Sequence, residues 1–410
     1  MIYTLWESPR RRGRDIKNSN EFKVLFSFTR SKHSLRHRSI AKVQQVPAVR
    51  THAHSSLSSD LHHGLTSKKM ISSLKEAITD SQFCTGVCCC VVGVFVAVHV
   101  VQHRQRKRVE FKRSEKSEFA RSGTKWSQRQ HEYHVEKFYE TGLTGKHDFH
   151  GGYLNFGYWA DANMNYIQAS EALLSQVADL VHLNKDSRLL DVANGSGSQD
   201  IFYFNKYNPK HIDMIDATLS HHLICKKRIQ ENGLEDRLTA HYGSAVDLPF
   251  QSNSFTHVLS IEGGAHFNTR QKFLREAYRV LEPNGWRSFA DFATPRPPKN
   301  FIEYAAMWLC STLWNAPEDN GRSCEELKKQ LEDEGFVDVV VKDVGEFCIP
   351  GYYYESTRPE TLAELKEIRG WFATYIASRI LDEITLWVYK KNLLTELIAY
   401  CRKPTAKSLE

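Results

Sequence analysis

Arg188-Leu-Leu-Asp-Val-Ala-Asn-Gly-Ser-Gly-Ser-Gln199 is the stretch on which the fold turns. Its apolar run ends in Asp191, enters a turn containing Gly195 and Gly197, and leads into residues that can start a helix. A strand hands over to a helix in this way around a bound nucleotide. Glycine lets the backbone approach a ligand closely, and the helix N-terminus offers it free N–H groups. Two further elements follow at the distances such a site needs. Asp216 follows a second expected strand, and the polar turn Gly243-Ser244-Ala245 follows a third.

Outward from this turn, strands and helices alternate. Upstream, residues 132–140 read as a helix and Gly151 to Trp159 as a glycine- and aromatic-rich loop, followed by a helix over about 167–181. Downstream, strands are expected at Leu189–Val192, Ile212–Ile215, Thr239–Tyr242, Phe255–Ile261 and Trp286–Phe292. Helices are expected at Gln199–Tyr207, Leu219–Asn232 and Arg270–Leu281, the last stopped by Pro283-Asn-Gly285. The alternation predicts an α/β, doubly wound, mostly parallel sheet with helices on both faces and its ligand at the carboxyl ends of the strands. After Pro295-Arg-Pro-Pro298 the rhythm changes. Aromatic inserts at about 295–322 and 345–390 flank a helix, Glu325–Glu334, and a strand, Phe336–Val344, and Leu393–Cys401 reads as a last, edge strand. No internal repeat is visible.

A dinucleotide-binding turn would need glycine where Asp200 stands, and no Gly-Lys-Ser/Thr marks a phosphate-binding loop. The run Asp191-Val-Ala193-Asn194-Gly195-Ser196-Gly197 instead resembles the S-adenosylmethionine-dependent methyltransferases of the Rossmann-like class, with Ala193 replacing the first of their three glycines. Val246-Asp247-Leu248-Pro249-Phe250 and Asn253-Ser254-Phe255 resemble the approach to the fourth strand of that class. Phe273-Leu-Arg-Glu-Ala-Tyr-Arg-Val-Leu-Glu-Pro-Asn-Gly285 resembles its passage into the fifth. Leu154-Asn-Phe-Gly-Tyr-Trp159 is similar to a loop of the small-molecule branch, which includes sterol, tocopherol, cyclopropane-fatty-acid and macrolide methyltransferases. The likeness covers about residues 132–402 and implies a seven-stranded domain over about 126–403.

What the resemblance implies can be assigned residue by residue. S-adenosylmethionine is the expected cofactor, held by Asn155, Asp191, the turn Ala193, Asn194, Gly195 and Gly197, then Gln199, Asp216, Thr218, Ser244, Ala245 and Ile261. A carboxylate at Asp216 can take two ribose hydroxyls, with Thr218 as the alternative for that place. Ser244 stands where the class often has an aspartate. Alanine at 193 is compatible with the turn if its φ is negative. His266, in Glu262-Gly-Gly-Ala-His-Phe267, is the best candidate for general base, and a structural histidine is the competing reading. Glu262 is expected to line the same pocket. His221 and His222 are expected to be solvated.

The N-terminal third lies outside the resemblance. The 410-residue chain carries a net charge of +7. Residues 1–69 hold much of the positive charge, with few acidic residues and no apolar period, and read as a disordered basic extension. That extension is either a targeting segment or sequence upstream of a start at Met70. Residues 83–102 begin a run free of Asp, Glu, Lys and Arg, followed by Arg104, Arg106, Lys107 and Arg108, and read as a single transmembrane helix with the catalytic bulk in the cytosol. Four of nine cysteines sit in that run, and none of the nine shows zinc or disulfide-framework spacing, so no metal is expected. The basic arm shows no nucleic-acid-binding fold, so no nucleic-acid partner is expected.

The sequence thus predicts a membrane-anchored methyltransferase acting on a small hydrophobic acceptor such as a sterol, terpenoid, quinone or lipid. The alternatives are N-methylation of a choline-type head group and a catalytically silent cofactor-binding relative. The oligomeric state is left open.

Overall fold

The computed structural model describes residues 131–136, 139 and 149–405. The basic extension and the expected membrane span at 83–102 lie outside these residues. Among the described residues no helix is long and apolar enough to cross a membrane.

A helical segment at 131–136 comes first. The elements that follow are α1 (Tyr166–Asp179), β1 (Arg188–Val192), α2 (Ser198–Tyr207), β2 (His211–Asp216), α3 (Leu219–Glu231), β3 (Leu238–Tyr242), β4 (Phe255–Ile261), α4 (Arg270–Val280) and β5 (Leu281–Ala293). Then come α5 (Phe301–Leu313), α6 (Cys324–Asp333), β6 (Val337–Asp343), α7 (Gly345–Ser356), α8 (Pro359–Ile376), α9 (Asp382–Lys390) and β7 (Thr395–Arg402). The strands form one seven-stranded sheet in the order β3-β2-β1-β4-β5-β7-β6. The first five run parallel, and β7 is antiparallel to both β5 and β6.

β1 shows why the sheet is covered twice. Leu189 faces a core with Leu173, Leu174 and Val177 of α1, Tyr203 of α2 and Cys225 of α3. Leu190 and Val192 face the opposite core with Phe273, Leu274 and Ala277 of α4 and Leu327 and Leu331 of α6. A strand buried on both faces carries a continuous apolar run rather than an alternating one. Helix α1 is fixed at its start by a reciprocal cap: Asn165 accepts from the Gln168 backbone and Gln168 accepts from that of Asn165, each at 2.9 Å. The later inserts are helical and share a third core around Leu309, Ile349, Ile384, Val388 and Leu393.

Two expectations need correction. Leu393–Cys401 was expected at the sheet edge, yet β7 lies between β5 and β6, and residues 395–399 are all buried. The edge is β6, whose ends are exposed. Pro283-Asn-Gly285 was expected to separate a helix from a strand. Instead β5 begins at Leu281, and these residues bulge from it, because the register skips between Phe255↔Leu281 and His257↔Trp286.

Candidate active site

Strand order reverses between β1 and β4, and the loops leaving their carboxyl ends border a cavity of about 260 Å³. In such sheets the reversal point opens a crevice. After β1 the backbone turns through left-handed conformations at Ala193 (φ 63°), Gly195 (φ 59°) and Gly197 (φ 85°). The condition of a negative φ at Ala193 is not met: the residue sits where glycine is favoured, at a cost of about 1 kcal/mol. Its methyl group is accommodated by Gly263, where a Cβ would lie 2.4 Å from the Ala193 Cβ. Gly197 serves packing, since a Cβ there would fall 2.5 Å from the Cys225 Sγ of α3.

Asp216 ties this turn to the next. The Gly195 N–H donates to its Oδ2 at 3.1 Å and the Thr218 N–H to its Oδ1 at 2.7 Å. Burial alone would raise its pKa, but the nearby His221 and these N–H donors outweigh it and hold the carboxyl below its ordinary value. Gly243 donates its N–H to the Asp216 carbonyl at 3.1 Å, bringing Ser244 and Ala245 to the same wall. At the end of β4, Glu262 (φ 53°) accepts the Phe156 N–H at 2.7 Å, clasping the upstream aromatic loop over the crevice. Ser196 and Ser198 hold that loop from below through the Gly152 and Gly151 carbonyls at 2.8 and 2.7 Å.

His266 is fixed through both ring nitrogens. Nδ1 lies 2.5 Å from the Trp314 carbonyl, which can only accept, so the neutral ring carries its proton there. Nε2 then accepts the Tyr139 hydroxyl at 3.2 Å. Burial pushes the His266 pKa down to about 4, so the ring is neutral at physiological pH. Asn320, from the first insert, pins the same loop. It donates to the carbonyls of Gly264, Ala265 and Phe267 and accepts the Arg270 N–H at 2.8 Å.

Beyond this loop the wall becomes aromatic. Phe156 stacks on Tyr352 with centroids 4.1 Å apart and meets Phe292 edge-on at 5.0 Å, and Trp314 lies 5.2 Å from Phe292. Glu355, Thr361, Ser378, Asp382 and Thr385 also line the cavity.

The cavity brings together Asn155, Ala193, Asn194, Gly195, Gln199, Asp216, Thr218, Ser244, Ala245, Ile261, Glu262 and His266. Asp191 and Gly197 do not line it. Asp191 is buried beneath the turn and accepts the Gln199 amide at 2.6 Å. The expectation that His221 and His222 are solvated is wrong. His221 is buried against the cavity with Nδ1 3.4 Å from Asp216, and His222 is half-buried near Tyr242. A signal was present: His221, Cys225 and Ile229 form one buried stripe at four-residue steps. Tyr139 was also missed, although Glu132, Val135 and Tyr139 follow helical spacing and all line the cavity.

The Asn155 Oδ1, buried in the cavity lining without a partner, can accept a ligand donor. Together with the Asp216 carboxylate and the glycine-rich turn, it fits a group bearing an amine, ribose hydroxyls and a thioether-like chain.

Residues 190–289 match a family model described as a methyltransferase domain. The chain is 34% identical over 202 residues to the erythromycin 3''-O-methyltransferase of Saccharopolyspora erythraea, an alignment covering 47% of this chain and 65% of that protein. It is 24% identical to the 27-O-demethylrifamycin SV methyltransferase of Amycolatopsis mediterranei, over 52% of this chain and 77% of that one. The solved structure of the cyclase SpnF shares the fold with a TM-score of 0.54 at 21% identity, covering 68% of this chain and 97% of that one.

Proposed function

We propose that this chain is a Rossmann-like methyltransferase of the S-adenosylmethionine-dependent class that transfers a methyl group to a small acceptor with an apolar body. The observation that carries this reading is the convergence of Ala193–Ser196, Asp216, Ser244 and Glu262 on one cavity at the strand ends. When bound, the cofactor supplies an electrophilic methyl on a sulfonium, so the protein's work is to align the partners and move a proton. Positioning of this kind contributes on the order of 7–11 kcal/mol.

In this reading the Asp216 carboxylate takes the ribose hydroxyls, and Asn155 with main-chain groups of Ala193–Ser196 holds the amino-acid end. Ser244 and Ala245 border the adenine. Asp191 and Gly197 act from beneath, through Gln199 and through packing on α3. A ring with a pKa near 4 is a weak base at neutral pH, so His266 orients the Tyr139 hydroxyl, and Glu262 is the better-matched proton acceptor.

The aromatic wall of Phe156, Phe292, Trp314 and Tyr352 supports a sterol-, terpenoid-, quinone- or polyketide-like acceptor. A second reading, N-methylation of a choline-type amine, is favoured by Asp382 and by Glu355, which also pairs with Arg358 at 2.9 Å, in the cavity wall, since carboxylates and ring faces both attract a cation. The test is calorimetry with S-adenosylhomocysteine, followed by transfer of labelled methyl to a panel of hydroxylated and amine acceptors. A folded sample that binds no S-adenosylhomocysteine overturns the methyltransferase reading. Exclusive labelling of amines replaces the first acceptor class by the second.

Anchoring by one helix over 83–102, with the catalytic domain on the cytosolic side, belongs to the same proposal and rests on the uncharged run and the basic cluster after it. Alkaline extraction of membranes checks it: release of the full chain into the wash overturns the anchor.

A further inference from the structure

Beneath the acceptor side of the cavity lies a polar cluster that the cofactor roles do not use. Glu262 directly follows β4 and Glu396 belongs to β7, with β5 between the two strands. Glu262 donates its N–H to Ala290 of β5, and Phe292 of β5 pairs with Glu396. Glu396 is fully buried, and no N–H or hydroxyl reaches either of its oxygens. Its neighbours are the Glu262 carboxyl and the Cys348 thiol of α7.

Two carboxyl groups facing each other in a buried site can bond only if at least one is protonated. Two ionised carboxylates there would leave four acceptor oxygens with almost no donors. The other groups facing Glu262 relieve little of this. They are the Phe156 N–H, Asp291 of β5, whose charge is taken by Arg270 at 3.0 Å, and the hydroxyls of Tyr139 and Tyr166. Burial raises the Glu262 pKa to about 8 and pushes that of Glu396 well above its ordinary value, so the pair holds its protons through neutral pH.

We propose that Glu262 and Glu396 form a two-carboxyl proton store that gives up one proton when a sulfonium cofactor binds and recovers one from the acceptor during transfer. The proposal rests on the methyltransferase reading. A positive charge beside Glu262 favours the singly protonated pair, which carries one negative charge. During transfer the acceptor's lone pair forms the bond to the methyl carbon, and the carbon–sulfur bond breaks with its electrons onto sulfur. The acceptor's proton passes to Glu262. The sulfonium charge and the pair's charge vanish together, and the pair again holds two protons. Glu262 is the catalytic residue in this scheme, and Glu396 is a positioning residue that sets its protonation.

The test needs no acceptor. Binding of S-adenosylmethionine and of S-adenosylhomocysteine is measured calorimetrically near neutral pH in buffers of different ionisation enthalpy, which counts the protons exchanged. The two ligands differ in the sulfonium charge. The wild-type protein is expected to release more protons with the sulfonium ligand, the difference approaching about one. Glu396→Gln, whose amide can donate to Glu262, should abolish that difference while both ligands still bind, and so should Glu262→Gln if the first variant does not fold. Equal release for the two ligands in the wild type, or a difference that persists in a folded variant, overturns the proton store alone. Failure of either ligand to bind the wild type overturns the methyltransferase reading and the store with it.

Discussion

Ala193 and Gly263 are coupled through space, and the coupling is measurable. A methyl group on Gly263 would meet that of Ala193, so Gly263→Ala should lower stability by about 1–3 kcal/mol, as overpacking does. Ala193→Gly removes the left-handed strain but loosens the unfolded chain, and the two effects nearly cancel. Combined with Gly263→Ala it should recover most of the loss, so the four denaturant midpoints should show a clear interaction energy. Additive midpoints would mean that the turn adjusts elsewhere. A second residue-scale expectation concerns pH. Burial pushes Asp191 up to about 7 from an unfolded value near 3.8, and its neighbour Asp200 well above its ordinary value. A raised acid is stabilising below its unfolded pKa and loses that contribution as pH rises through the folded one. The domain should therefore lose stability between about pH 4 and pH 7, and Asp200→Asn should flatten that slope; an unchanged slope would mean that Asp200 contributes nothing to it.

At the scale of elements, the loop after β4 is held by a residue far away in sequence. Asn320 connects the first insert to three carbonyls of residues 264–267 and to the start of α4. Asn320→Ala leaves those buried groups without partners, so a loss of about 2–3 kcal/mol is expected, together with a fall in turnover, because His266 moves with the loop. Thermal unfolding and methyl-transfer rates check both; a stable variant with normal turnover excludes the pinning role. Nothing local marks Asn320 in the sequence, since its partners lie about fifty residues away. By contrast β1 and β4 were legible because their centres, buried on both faces, carry the apolar pairs Leu189-Leu190 and Val258-Leu259. The place of β7 was not, since an apolar run does not reveal which neighbours it joins. His221 was misread because a histidine looks polar even in a buried helix stripe.

For the whole molecule, the doubly wound architecture was legible from the alternation of elements and from the turn after β1, and most of the expected cofactor residues do share one cavity. The acceptor end was not, because it is assembled from both inserts and the N-terminal helical segment, whose aromatics carry no order in the sequence. If the cavity holds the cofactor, a ligand at one hundred times its Kd should stabilise the domain by about 2.7 kcal/mol. S-adenosylhomocysteine should then raise the melting temperature, whereas Asp216→Ala should melt without a ligand-dependent shift. A variant that keeps the full shift removes Asp216 from the binding site.

The position of β7 has a consequence for synthesis. Its partners β5 and β6 are both translated earlier, yet neither gains its shared neighbour until residues 395–402 leave the ribosome. Lys403 follows at once, its ammonium taking the Tyr278 and Leu281 carbonyls like a final latch. A nascent chain arrested before Thr395 would expose the open flank of β5, a ready template for intermolecular pairing and a natural substrate for chaperones.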